Sequence, residues 1–529
     1  MNKTLLTFLA FLTFMTAFSA KADVYEGQCG DNLTWRLDTE TETLTINGSG
    51  DMYDYGSNTS PWAAHSESLA HVIIGDSVTS IGNKAFTSHG FIKSVHIGNS
   101  VVTIGENAFY GCGRLHNVFI SDSVKEINSG AFSYCRSLRE ITIPKSVEVI
   151  KSNVFCECEK LESIVVDPEN TKYDSRDNCN GIVVTASNKL FITCKNTVVA
   201  NTISHIGYKA FEDGAIESVD MPNSVREIDD LAFAYCRKLT HLTLGDSLES
   251  IGSAAFSGCE LVEELYIPGS VRLIGGSAFS SCCGLKSIAI APENEFYDSR
   301  EDCNAIILTK TNELLWGCNN TVFPKTITSI GENAFIHCSG IENVVIPDQV
   351  KNIKMSAFQD CGGLVSVVLP ASLETVGYWA FNGCDKLSSI YILATTPPEC
   401  AGDVFGSNSV FTIFDKATLY VPYGCRQAYK EAKIWKDFWN IVELPEGYGI
   451  CENQKASVSV FPNPTTDFIN IKCENMTSID IITTDGKIAD RVEAHDDDVQ
   501  IDMRKMPRGT YFVRIKTREG IVTNKIIKE

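Results

Sequence analysis

A repeat limits this chain more than any other feature. The pair Ala-Phe places phenylalanine at 86, 109 and 132, and again at 155 with Val154 before it, at a constant step of 23 along the chain. It returns at Phe211, Phe233, Phe256 and Phe279, then at Phe335, Phe358 and Phe381, with a Val-Phe echo at Phe405, twelve copies in all. A unit this short cannot close a core by itself, so copies must stack and bury a shared column of side chains. Two longer intervals, Phe155 to Phe211 and Phe279 to Phe335, hold the variant segments YDSRDNCNGIVVTASNKLFITCKNT and YDSREDCNAIILTKTNELLWGCNNT. These segments begin at Tyr173 and Tyr297, an offset of 124 in the numbering, which marks the duplication of a larger block.

Within a unit such as IGENAFYGCGRLHNVFISDSVKE, the residue six after the Phe is apolar, as at Leu115, Leu138, Leu161, Leu239, Leu285 and Leu364. Positions nine and eleven are apolar too: Val118 and Ile120, Ile141 and Ile143, Leu265 and Ile267, Val344 and Ile346. Such alternation is the pattern of a short strand with one buried face. A turn follows, often at proline (Pro144, Pro268, Pro347, Pro370), and then an isoleucine such as Ile127, Ile150, Ile274 or Ile353 predicts a second extended segment.

Position ten lies between the two inward residues and points outward. It reads His96, Phe119, Thr142, Val165, Thr243, Tyr266, Ala289, Val345, Val368 and Tyr391. From this row His96, Phe119, Thr142, Thr243, Tyr266, Val345, Val368 and Tyr391 are the candidate binding residues, because aromatic and apolar side chains gathered on one open face mark partner sites. The alternative is a neighbouring segment lying over the face, and the exposure of Tyr266 and Tyr391 discriminates between the two.

Nine of the 20 cysteines stand three residues after the Phe: Cys112, Cys135, Cys158, Cys236, Cys259, Cys282, Cys338, Cys361 and Cys384. A ladder of buried thiols packing as small apolar groups accounts for them. A zinc array needs recurring histidines or a repeated Cys-x-x-Cys, and the ladder brings neither. Cys179 with Cys194 and Cys303 with Cys318 are candidate disulfides for an exported chain, a pairing that sequence leaves open. The nine histidines are scattered without a catalytic triad around any of them, and neither Gly-x-Ser-x-Gly nor a glycine-rich phosphate loop occurs. Asp174 with Asp177, and Asp298 with Glu301 and Asp302, lack the glycine and closing glutamate of a calcium loop and read as solvated turns. No catalytic residue, metal or cofactor is therefore expected. A net charge of −21 disfavours nucleic acid and anionic membrane surfaces as partners.

The first residues speak of export, and the last form a module of their own. Lys3, an apolar run from Leu5 to Phe18 and the small-x-small site Ala20-Lys21-Ala22 predict a signal peptide over 1–22. No later stretch approaches the roughly 20 apolar residues that span a bilayer, so no transmembrane segment is expected after cleavage. Beyond residue 456, SVSVFPNPTTDFINIK, IDIITTDGKI, VQIDM, GTYFVRIKT and GIVTNKIIKE predict five to seven short strands in a small antiparallel β-sandwich, with turns at Asp485-Gly486, Arg508-Gly509 and Glu519-Gly520.

The run IGxxAFxxCxxLxxVxIPxSVxx resembles the BspA-like class of bacterial leucine-rich repeats, and the YDSRxxCN and CxNT segments look like those interspersed in that family. The resemblance covers about residues 70–445. It implies a right-handed, β-rich leucine-rich-repeat solenoid of about 23 residues per coil that binds surface proteins or cells and carries no catalysis. CGDNLTWRLDTETETLTINGSGDMYDY is similar to the β-hairpin cap that opens such arrays. Pro462-Asn463-Pro464, the Gly509-Thr510-Tyr511 strand start and the final Lys525-Ile526-Ile527-Lys528 resemble the C-terminal sorting domain of type IX secretion cargo. The expected organisation is then a signal peptide (1–22), an N-terminal β cap (23–69), repeats (70–420), a helical closing cap (421–442), a linker (443–456) and a sorting β-sandwich (457–529). This implies a protein in the extracellular space or attached to the outer surface of a Gram-negative bacterium. Its expected partners are an extracellular protein or glycan and the type IX secretion machinery. A structural surface scaffold is the alternative, and a secreted hydrolase a distant third.

Overall fold

The computed structural model describes residues 23–406, 413–445, 459–473, 475–483, 487–494, 496–517 and 520–529. The signal peptide, most of the linker, the turns at Asp485-Gly486 and Glu519-Gly520, and His495 therefore fall wholly or partly outside the described residues. The chain divides into two compact units, Met1–Leu239 and Thr240–Glu529.

The first unit opens with three antiparallel strands, Val24–Gly30, Leu33–Asp38 and Thr43–Gly48. The third pairs in parallel with His71–Ile74, which starts a run of parallel strands continued by Ser94–His96 and Asn117–Phe119. Two-residue strands such as Thr103–Ile104, Glu126–Ile127 and Val149–Ile150 build a second parallel sheet on the other side of each coil. The opening meander thus gives the first coil's strand a partner whose far edge is antiparallel, and Trp62 closes the core beneath it.

The phenylalanines stack as rings. Phe86 and Phe109 lie 5.0 Å apart at 1°, Phe109 and Phe132 5.3 Å apart at 4°, and Trp62 sits on Phe86 at 5.1 Å. In the second unit Phe335, Phe358 and Phe381 stack at 5.0 and 5.3 Å, and Phe405 continues the row at 5.9 Å. The spacing follows from strands ≈ 4.8 Å apart: equal positions in successive coils come into van der Waals contact. The residue before each ring is small and buried, alanine at 85, 108 and 131 and valine at 154 and 404. Within uninterrupted runs the Phe N–H donates to the carbonyl of the residue before the Phe in the next coil, as in Phe86 to Ala108 (2.7 Å), Phe109 to Ala131 (2.8 Å) and Phe358 to Ala380 (2.8 Å).

The cysteine ladder is buried, as expected of small apolar groups, but its thiols also donate hydrogen bonds. Cys112 Sγ donates to the Phe86 carbonyl (3.2 Å), Cys135 Sγ to that of Phe109 (3.3 Å), Cys361 Sγ to that of Phe335 (3.1 Å) and Cys384 Sγ to that of Phe358 (3.1 Å). Cysteine therefore combines the size the column needs with a donor that reaches back one coil. Burial pushes the Cys158 and Cys384 thiols up to about 12, which keeps them protonated and unreactive. In the first coil His89 takes the ladder position; it is buried, its Nδ1 lies 3.0 Å from the Thr87 carbonyl, and burial lowers its pKa.

The variant segments are strapped down by side-chain hydrogen bonds. Asn170 Nδ2 donates to the Pro144 and Val147 carbonyls, while its Oδ1 accepts from the Lys172 and Tyr173 N–H groups. Asn294 repeats all four contacts, with the Pro268 and Val271 carbonyls and with the Phe296 and Tyr297 N–H groups. Asp174 is engaged by Arg176 through both oxygens and by Thr185, and Asp298 likewise by Arg300 and Thr309. These carboxylates are committed to guanidinium partners, and among the described residues no group of three or more His, Cys, Asp or Glu is placed to hold a metal ion. The candidate disulfides are not formed: Cys179, Cys194, Cys303 and Cys318 are buried thiols, and Cys194 Sγ donates to the Asn180 carbonyl instead (3.2 Å).

The end of the repeats differs from a helical cap. Within 421–442 the α-helix is confined to Arg426–Glu431; a single turn at Trp435–Asp437 follows, and Asn440–Glu443 returns as a strand paired with Thr418–Val421. Trp435 packs edge-on against Phe405 at 5.9 Å, so a tryptophan meets the phenylalanine row at this end as Trp62 does in the first unit. Beyond it stand a three-stranded antiparallel sheet (Ser459–Phe461, Phe468–Lys472, Asp498–Asp502) and a four-stranded one (Met476–Thr483, Ile488–Glu493, Gly509–Thr517, Gly520–Lys528) around a core that includes Ile469, Ile479, Val513 and Ile526.

Candidate binding face

Parallel pairing without a register shift carries the outward positions from coil to coil. In the first unit Thr45, Ile73, His96 and Phe119 fall on one row, since each is the partner of the next. His96 stacks on Phe119 with ring centres 5.4 Å apart at 10°, and Phe119 stays 57% exposed. His71, Ser94, His116 and Asn117 flank this row along an open groove, with His71 Nδ1 2.7 Å from Ser94 Oγ. Thr142 is exposed and pairs with Val165, also exposed.

In the second unit Thr243 is exposed and Tyr266 is 51% exposed beside its partner Ala289. Val345 is exposed as well. Its partner Val368 and the next in register, Tyr391, are not: they are 5% and 1% exposed. Both side chains leave the solenoid core as the alternation requires, and both are then covered. Tyr391 stacks on Tyr420 at 4.5 Å and meets Phe512 of the C-terminal sandwich edge-on at 5.7 Å, and Ile482 and Leu444 complete the cluster. The expected exposure of Val368 and Tyr391 is therefore corrected: the sandwich lies on this end of the strand face.

Phe512 and Ile482 were not among the candidate residues, although a signal for them exists. In Gly509–Thr517 the residues Tyr511, Val513 and Ile515 line the sandwich core, so alternation puts Phe512 on the opposite face. An aromatic on the outer face of a small sandwich calls for a partner. Beside it Asp480 is fully buried; burial alone would raise its pKa, but the Arg491 and Arg514 guanidiniums outweigh that and hold it below the usual carboxylate range.

Fold and face together define a repeat protein whose parallel strands present side chains in register from coil to coil. The BspA-type leucine-rich-repeat model matches residues 63–180, 185–301 and 315–410, more than half of the chain, and the chain belongs to that family. The secretion-system C-terminal sorting domain matches 459–529, which makes the protein cargo of type IX secretion, destined for the cell surface or extracellular space. No catalytic family is indicated. Among the described residues no helix is long and apolar enough to cross a membrane. No curated protein sequence matches the chain.

Among solved structures, a leucine-rich-repeat protein from Eubacterium ventriosum is 18% identical, with 74% of this chain and 97% of that one covered and a TM-score of 0.47. One from Bacteroides ovatus is 22% identical over 69% and 94%, with a TM-score of 0.37. The pneumococcal vaccine antigen PcpA is 16% identical over 80% and 99%, with a TM-score of 0.28.

Proposed function

We propose that this is a non-catalytic surface recognition protein, an adhesin that binds a host or bacterial surface protein or glycan through the outward rows of its parallel strands. The observation that supports this best is the Ile73–His96–Phe119 row, where apolar and aromatic side chains stand exposed in register on a rigid sheet. Groups held in place by stacked coils lose little freedom on binding, so weak contacts add with little ordering cost. The exposed outward positions of the two units, His96, Phe119 and Thr142 in the first and Tyr266 and Val345 in the second, carry no strong charge, which suits a protein or glycan better than a highly charged partner. The division into a β cap at 23–69, repeats at 70–420, a closing cap at 421–442, a linker and a sorting domain from 457 belongs to the same reading.

The test is binding of the full chain, beside Phe119→Ala and Tyr266→Ala, to an array of matrix proteins, cell-surface proteins and glycans. Saturable binding lost in either variant supports the adhesin; binding that survives both moves it off this face. The burial of Val368 and Tyr391 favours a second reading, a surface scaffold whose strand face is used to hold its own modules. Binding to nothing on the array, with both variants folded, supports that one.

A further inference from the structure

The duplicated variant segments contain a difference that neither the repeat nor the export signals account for. In the second copy Trp316 lies edge-on to Phe279 at 6.0 Å and Phe323 packs on Phe335 at 5.3 Å, so the space where the phenylalanine row is interrupted is filled. The duplication offset of 124 puts Ile192 and Val199 at those two positions in the first copy. There a cavity of ≈ 220 Å³ opens, floored by Phe155, Leu161, Phe191, Ile192 and Phe211. That is larger than the ~150 Å³ engineered apolar cavity known to take up benzene, so a single ring fits with room for a short substituent.

The charged groups around this cavity also differ between the copies. Glu157, Glu212 and Asp213 line it, whereas the corresponding residues in the filled copy are Ser281, Ile336 and His337. Of the other charged groups in the lining, Glu212 is paired with Lys209 at 2.8 Å, Asp229 with Lys189 at 2.8 Å and Glu159 with Arg136 at 3.3 Å, while Lys195 is the third lysine, so five carboxylates face three lysines. Among the described residues Glu157 and Asp213 have no ion-pair partner. Burial and the nearby Asp213 push the Glu157 carboxyl above its ordinary value, a tension that a bound cation relieves. The copy without the aromatic filling is thus the copy that carries carboxylates without an ion-pair partner.

We propose that this cavity binds a small organic cation, an aromatic ring carrying an ammonium group, with the ring between Phe155 and Phe211 and the charge toward Glu157 and Asp213. This is independent of the strand face and of any macromolecular partner.

The probe is 2-phenylethylamine titrated into the full chain by calorimetry, with 2-phenylethanol and 3-phenylpropionate as neutral and anionic counterparts. One saturable site is expected for the amine, at least tenfold weaker for the alcohol and absent for the acid. Ile192→Trp with Val199→Phe rebuilds the filling of the second copy and is expected to abolish binding. Glu157→Gln with Asp213→Asn alters only the charges and is expected to weaken the amine at least tenfold while leaving the alcohol unchanged, so the test holds even if the filled variant folds poorly. Absence of amine binding to the unaltered chain, equal binding of the acid, or amine binding undiminished in the carboxylate variant or in a folded filled variant overturns the proposal.

Discussion

Replacing Phe109 by alanine removes the middle ring of a five-ring stack, Trp62–Phe86–Phe109–Phe132–Phe155, with Phe86 at 5.0 Å and Phe132 at 5.3 Å on its two sides. The ring is fully buried, and truncating a buried phenylalanine costs about 3–5 kcal/mol through lost transfer energy and the cavity left behind. Two nearly parallel neighbours place this site at the upper end, since each aromatic pair adds ~0.5–1.5 kcal/mol beyond its area. A loss of about 5 kcal/mol is expected, equivalent to a fall of roughly three and a half decades in the protection of amides that open with these coils. Because a stacked repeat interacts mainly with its neighbours, the loss should be concentrated between residues 85 and 135. Native-state hydrogen exchange read by mass spectrometry checks this, with the coils around Phe211 and Phe233, stacked on each other at 4.5 Å, as the comparison within the same unit. Phe109→Leu should cost only about 1.5 kcal/mol, because much of the volume is kept. A loss below about 1 kcal/mol for the alanine variant, or an equal loss around Phe211 and Phe233, would refute the nearest-neighbour argument.

Three further outcomes are expected. The ladder thiols Cys158 and Cys384 have folded values raised from 9.0 to about 12, so the stability they contribute is fully present below pH 9 and is lost as pH rises toward 12; chemical denaturation at stepwise alkaline pH should show that decline, and thiol alkylation at pH 8 should spare both residues until the chain unfolds. Asn170→Ala removes four hydrogen bonds at a buried site and should cost about 3 kcal/mol at roughly 0.5–1.5 kcal/mol each, seen as lost exchange protection at 144–150 and 170–173. Phe512→Asp puts a charge against Tyr391 and should lift the sandwich from the strand face, raising Tyr391 accessibility to surface-labelling reagents while leaving the sandwich core of Ile479 and Val513 protected; unchanged labelling of Tyr391 would show that the contact does not depend on Phe512.

Much of the core was legible because a stacked repeat turns one-dimensional spacing directly into contact. Phenylalanines one repeat apart must meet once strands pair in register, and the leucines at six and the aliphatic residues at nine and eleven follow from the same phase. The cysteine ladder was legible as burial but not as bonding, because which carbonyl a thiol reaches depends on the rise between coils. His89, standing where later coils have cysteine, was assigned to no role for the same reason.

The candidate face was legible only as a direction. Alternation says that Val368, Tyr391, Tyr266 and Phe119 all leave the core, and the structure agrees for all four. Whether such a side chain then meets solvent depends on what folds over it, and for Val368 and Tyr391 that is Phe512, far along the chain in the sorting domain. The cavity between Phe155 and Phe211 belongs to the same category: Ile192 and Val199 read as ordinary core residues until their counterparts Trp316 and Phe323 are seen filling the equivalent space. Period, strand alternation, export signals and family were thus properties of the sequence alone, since each depends on residues near one another in the chain or at a constant step along it. Coverage of a surface and filling of a cavity were decided only by tertiary structure, because both depend on shapes brought together from distant segments, where no fixed spacing relates the partners.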